Sequence, residues 1–191
     1  FIERFYTIID TAKLGLTFYK IYFQFQNLNK PKEEEIIKFF RNLPNYGWLG
    51  ICAGKWDMII GFLVNNVNEF DDEVQVALNR FSGYIQEKAV TTTIHLVHQT
   101  REFLKDNPSK EISKIVYHTT KDRQEKIGKI DEEIIKILTN NGRIPVTDMA
   151  KRLNITPRIA QYHIKELKNK GIILAYKAHL DTKALGRIFC K

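Results

Sequence analysis

Residues 17–26, TFYKIYFQFQ, are dense in aromatic and β-branched types and predict a strand. From Pro31 to Asn42, Ile36, Ile37, Phe39 and Phe40 recur at helical spacing. Pro31 and three glutamates occupy the first turn, where a fixed φ and negative charge suit the start of a helix. Two apolar runs, Trp48 to Ala53 and Trp56 to Val64, are separated by Gly54-Lys55 and predict a hairpin. Phe70, Val74, Ala77, Leu78 and Phe81 form the stripe of an amphipathic helix, and Val90 to His98 predicts a closing strand. The order βαββαβ is that of an α+β, ferredoxin-like domain over residues 16–100, an antiparallel four-stranded sheet with both helices on one face. The other sheet face is apolar enough to predict pairing with a second copy of the chain, giving a homodimer or higher oligomer.

The period changes after residue 130. Asp131 can cap a helix whose stripe is Ile134, Ile137 and Leu138, ending at Asn140-Asn141-Gly142. A short helix from Val146 to Leu153 buries Met149, Ala150 and Leu153. Asn154 follows at a tight turn that calls for a left-handed residue. Thr156 is a suitable N-cap and Pro157 a suitable first residue for a third helix, with Ala160, Ile164 and Leu167 inward and Gly171 at its end. Ile172 to Leu180 reads as a strand. Helix, helix-turn-helix and strand make residues 130–180 a winged helix-turn-helix domain. Residues 101–129 mix charge with a small apolar cluster at Ile112, Ile115 and Val116 that suits a short helix or an extra strand, and are expected to be a linker.

Charge separates the two domains. The net charge of the 191 residues is +8, yet residues 1–120 hold 14 basic and 14 acidic side chains while residues 121–191 hold 16 and 8. A basic domain beside a neutral one points to a polyanion as the partner of the second. With 160, 164 and 167 inward, Arg158, Gln161, Tyr162 and Lys165 point outward near the helix start, the end that enters the major groove of double-stranded DNA in this motif. Arginine matches guanine and glutamine matches adenine in bidentate pairs, whereas Lys165, Lys168 and Arg143 suit phosphate. Apolar stretches such as Met58 to Val64 are far shorter than a membrane span, so no membrane partner is expected. Cys52 and Cys190 alone make neither a disulfide framework nor a zinc site, which fits a reduced cytoplasm and no metal or cofactor. His95, His98, His118, His163 and His179 are scattered. No nucleophile–base or paired-carboxylate set stands at a recognisable spacing, and an enzyme is not expected.

Residues 2–20 align without gaps to residues 173–191, sharing 7 of 19 positions at an offset of 171. Residues 1–15 are therefore expected to be the end of a preceding winged-helix unit and residues 181–191 the start of a second ferredoxin-like domain, within a longer tandem protein.

The stretch from NGRIPVTDMAKRLNITPRIAQYHIKELKNKGIILAYKAHLDTKALG resembles the DNA-binding half of the Lrp/AsnC (feast/famine) transcription regulators. Their pattern runs N-G-R, L-A, a Ser/Thr-capped recognition helix, G-V-I and a closing L-G. CAGKWDMIIGFLV resembles the hairpin of that family's effector (RAM) domain, with Gly54 and Asp57 in the glycine and aspartate positions beside an amino-acid pocket. Thr92 and Thr93 are expected to line the same region. The resemblance implies a sequence-specific regulator from a prokaryote or archaeon, controlled by a small effector such as an amino acid, with Thr156 capping the recognition helix. Three features depart from the pattern: His163 replaces the usual Arg, Pro145 replaces a small polar cap, and the domain order is tandem. Two alternatives share the architecture. One is a decarboxylase acting on sirohaem-type tetrapyrroles, in which His95, His98 and Arg101 would hold the substrate. The other is a dimerising interaction protein that does not bind DNA.

Overall fold

A computed structural model describes residues 2–99, 114–117, 124–181, 184 and 186. Much of the expected linker, Arg101 and His118, and the end of the C-terminal repeat copy, Cys190 included, lie outside the described residues. The chain divides into two compact units, one centred on Gly15–Leu96 and the other joining Phe1–Leu14 to Val97–Tyr117 and Arg123–Lys191.

The first unit contains β2 (Thr17–Phe25), α1 (Lys30–Arg41), β3 (Tyr46–Ile51), β4 (Met58–Val64), α2 (Val67–Phe81) and β5 (Ile85–Thr92). The sheet order is β3-β4-β2-β5 with antiparallel neighbours, which is the ferredoxin-like arrangement. Alternation along the strands sends Ile21, Phe23, Met58, Ile60 and Phe62 to one face. There they meet Ile36 and Phe40 of α1 and Phe70, Val74, Ala77 and Phe81 of α2. Each such large side chain contributes about 1.5–3 kcal/mol by leaving water, so this one layer is the main source of the unit's stability. Both helices start on asparagine caps: Asn29 accepts from the Lys32 amide, and Asn66 from the amides of Asn68 and Glu69. On the opposite sheet face, Gly61 lies under aromatic rings. A Cβ there would collide with Trp48 Nε1 and meet the Phe18 ring at 2.7 Å.

The last strand differs from its expected position. Instead of running from Val90 to His98, β5 spans Ile85–Thr92. The chain leaves the strand at 93–95, and β6 (Leu96–Gln99) pairs with β7 (Lys114–Tyr117) in a separate two-stranded sheet. Apolar density was the misleading signal. β5 is an edge strand whose Gln86, Glu87 and Lys88 are exposed, and its hydrogen bonds to β2 define it rather than burial. His95 thus lies in the break between strands and does not share one with His98. The expected linker also contains regular structure, namely β7.

The second unit contains α3 (Lys129–Asn140), α4 (Val146–Leu153), α5 (Pro157–Asn169) and β8 (Ile173–Leu180), with β1 (Ile2–Ile9) alongside. Its core is Ile134, Ile135, Leu138, Met149, Leu167, Ile172 and Ile173, and Ile9 from β1 is part of it. β1 pairs antiparallel with β8, so the wing's partner strand comes from the opposite end of the sequence. Asp10 N–H donates to the Ile172 carbonyl at 2.9 Å, and Lys13 Nζ donates to the Lys170 carbonyl at 2.6 Å. Residues 1–14 group with this unit.

Candidate nucleic-acid interface

The helix-turn-helix is set by three local devices. Asn154 adopts φ 53° and ψ 45°, the left-handed geometry that turns α4 sharply into the next element. Thr156 Oγ1 then accepts from the Ile159 amide at 3.3 Å and starts α5, with Pro157 in its first turn. Gly171, at φ +67°, ends the helix and returns the chain to β8.

The rotation of α5 is fixed by Ala160 and Leu167, both buried. The opposite face carries Arg158, Gln161, Tyr162, Lys165 and Lys168, all exposed, with Tyr162 at 61%. The structure thus brings five of the seven expected DNA-contacting residues onto one exposed face of one helix. Thr156 is exposed but occupied as the cap. Arg143 is exposed in the segment between α3 and α4, and its guanidinium carbon lies 3.7 Å from the centre of the Phe5 ring. Lys168 Nζ lies 5.0 Å from the centre of the Tyr176 ring on β8, which orients its stem along the wing.

Asp131 and His163 position α5 in a way that sequence reasoning missed. Gly128, rather than Asp131, is the N-cap of α3. Asp131 sits three residues in and its Oδ2 accepts from the Gly128 amide at 3.0 Å. Its other oxygen, Oδ1, is 2.7 Å from His163 Nδ1, and the carboxylate is buried. One side chain therefore ties the start of α3 to the middle of the recognition helix. The signal was present: His163 follows Ala160 by three residues, on the inward side of α5, where a polar group needs a partner. Asp131→Ala is expected to lower stability by about 1–3 kcal/mol, from the lost cap and the unpaired imidazole, as read from the thermal unfolding midpoint.

The expected effector residues do not meet within one chain. Gly54, at φ +142°, is exposed in the turn between β3 and β4. Asp57 closes that turn: its carbonyl accepts from Cys52 N–H at 2.8 Å and its Oδ2 accepts from the Phe25 amide at 2.7 Å, at the end of β2. Thr92 pairs with Tyr19 near the start of β2, and the Thr93 amide donates to the Phe18 carbonyl. The two pairs lie at opposite ends of β2, about 20 Å apart at roughly 3.3 Å per residue. Thr93 is buried, and its hydroxyl makes no hydrogen bond among the described residues. Asp57 is thus engaged in holding the hairpin to β2. Asp57→Ala should cost about 1–3 kcal/mol in urea unfolding by leaving the Phe25 amide without its acceptor. Among the described residues no group of three or more His, Cys, Asp or Glu is placed to hold a metal ion, and no helix is long and apolar enough to cross a membrane.

The fold and this helix define a winged helix-turn-helix protein, and residues 128–173 match the family model for winged helix-turn-helix DNA-binding domains. The regulatory protein AsnC of Haemophilus influenzae is 30% identical over 64 residues, 34% of this chain and 43% of that protein. The transcriptional regulator LrpA of Pyrococcus horikoshii is 37% identical over 60 residues, 31% of this chain and 43% of that protein. The leucine-responsive regulatory protein of Haemophilus influenzae is 32% identical over 77 residues, 40% of this chain and 44% of that protein. The winged helix-turn-helix unit of this chain is thus similar in sequence to regulators of the Lrp/AsnC kind. The chain spans less than half the length of these curated relatives. Among solved structures, the siroheme decarboxylase NirDL in co-complex with an iron-uroporphyrin III analogue is similar over 93% of this chain and 50% of that one. The TM-score is 0.61 at 16% identity, a likeness of fold.

Proposed function

We propose that this protein is a sequence-specific, double-stranded-DNA-binding transcriptional regulator of the Lrp/AsnC kind. One observation carries the proposal: Arg158, Gln161, Tyr162 and Lys165 share the exposed face of a capped helix whose other face is locked by Ala160 and Leu167. Arg158 and Gln161 read base edges, and Lys165, Lys168 and Arg143 contact phosphates. The ferredoxin-like unit pairs chains through the sheet face bearing Phe18 and Trp48, and the protein works in the cytoplasm beside its DNA. A small effector such as an amino acid acts across paired units, where Gly54 and Asp57 of one chain lie near Thr92 and Thr93 of another. The unpaired, buried Thr93 hydroxyl supports a polar ligand at that end of the sheet. The test is DNA binding against salt. Affinity present at low salt and falling by about 10³-fold or more between 50 and 200 mM is expected for six or more phosphate contacts. Absence of binding at low salt, or a flat salt response, would refute the proposal and leave an interaction module.

A second reading, tetrapyrrole decarboxylation, draws support from the fold likeness over most of the chain and from His95, exposed between β5 and β6. It requires a shift in the absorption spectrum of an iron tetrapyrrole on mixing with the protein, which a regulator does not produce.

A further inference from the structure

Two large apolar side chains of α5 are left in water. Ile159 is 41% exposed and Tyr162 61% exposed. Neither serves the core of the winged helix, to which α5 contributes Ala160 and Leu167, with Ile164 packed against its margin. The two stand three residues apart, one turn of helix, on a common flank, and Arg158, Gln161 and Lys165 border them. An apolar ridge framed by cations and an amide suits a partner that is anionic at its rims and apolar at single points. The major groove of DNA is such a surface. Phosphates line it, its base edges are polar, and its one apolar group is the C5-methyl of thymine.

Both side chains are held in place before any ligand arrives. The Ile159 amide donates to Thr156 Oγ1 at 3.3 Å in the first turn of α5. A β-branched side chain in a helix keeps one χ1 rotamer in about nine cases of ten. The Tyr162 ring meets the His163 ring edge-on, with 5.6 Å between centroids and 80° between planes. His163 is fixed in turn by the buried Asp131, whose Oδ1 lies 2.7 Å from its Nδ1. A chain of contacts from the domain interior therefore braces an exposed aromatic ring. Apolar contacts made by such side chains cost little ordering entropy, whereas the long chains of Arg158 and Lys165 lose more.

We infer that Ile159 and Tyr162 read the C5-methyl groups of thymine, so that the operator carries thymines beside the base pairs contacted by Arg158 and Gln161. The assignment rests on α5 being the DNA-reading helix. It adds a residue, Ile159, and a kind of contact that the hydrogen-bonding pair does not supply. Arginine and glutamine recognise guanine and adenine, and the methyl group is the mark that thymine alone presents in the groove.

The test uses the protein and an operator recovered by in vitro selection, synthesised with deoxyuridine in place of one thymidine at a time. Uracil pairs with adenine and keeps its O4 acceptor, and it lacks only the methyl group. Affinity is expected to fall about fourfold at each contacted thymine. Ile159→Ala and Tyr162→Ala should each abolish the uracil penalty at one of the contacted positions. Ile159→Val should keep part of it, and Arg158→Ala, which weakens binding as a whole, should leave it intact. Equal affinity for thymine and uracil at every position overturns the inference while leaving DNA binding by α5 in place. A penalty that persists in the Ile159→Ala, Tyr162→Ala double variant, or an operator with no thymine in its half-site, does the same. The uracil comparison on the unsubstituted protein stands whether or not the variants fold. Failure to bind any DNA at low salt is a separate result, which overturns the DNA-binding reading and the inference together.

Discussion

Alanine at both Arg158 and Gln161 is expected to reduce affinity for a selected operator by roughly two orders of magnitude or more, while affinity for random DNA changes far less. Each bidentate contact to a base edge discriminates by about 1–3 kcal/mol, and each tenfold in affinity is about 1.4 kcal/mol. The two side chains share one face of α5 three residues apart, so they address neighbouring bases and their losses combine. Lys168→Ala is the contrasting variant. Its ammonium lies by the wing, over Tyr176, and its loss should weaken operator and random DNA alike and flatten the salt slope by about 1. Fluorescence anisotropy with an operator recovered by in vitro selection separates the two patterns. Equal losses on both DNAs from the Arg158/Gln161 double variant would contradict base reading by this helix.

Leu167→Ala is expected to destabilise the winged-helix unit by about 2–5 kcal/mol, since it leaves a cavity in a core with little slack. Leu167 is 1% exposed and packs among Ile134, Leu138, Met149 and Ile172. It also sits on the inward face of α5, so its loss lets the helix rotate and misaims Arg158 and Gln161. Urea unfolding followed by hydrogen exchange at α3 and α5 amides should show the loss there, while the amides of β2 and β4 keep their protection. A fall shared equally by both units would show that they unfold as one and contradict a core confined to the winged helix.

The elements that could be read from the chain are those whose periodicity, capping and burial agree. α5 is the clearest, because Thr156, Pro157, Ala160, Leu167 and Gly171 each specify the same helix by a different mechanism. β4 is similar, with buried Met58, Ile60, Phe62 and Val64 alternating as a half-buried strand must. β5 was misplaced because an edge strand depends on its neighbour's hydrogen bonds, and Ile85–Thr92 has little burial to reveal it. Asp131 is a helix signal in the sequence, but its second oxygen reaches His163, 32 residues on. No local pattern encodes that pairing. The effector residues illustrate the same limit: resemblance groups Gly54, Asp57, Thr92 and Thr93, and the register along β2 separates them within one chain.

The pairing of β1 with β8 also fixes an order of events during translation. β1 is synthesised well before the partners it needs; the Lys13–Lys170 bond alone spans 157 positions. At about 5–20 residues per second, that interval lasts roughly 10–30 s, during which the Gly15–Leu96 unit can fold on local contacts. The winged helix closes only after that interval. A shortened version beginning at Gly15 would therefore keep the unit it starts with and damage the distant one, leaving β8 as a bare edge prone to pairing with other chains.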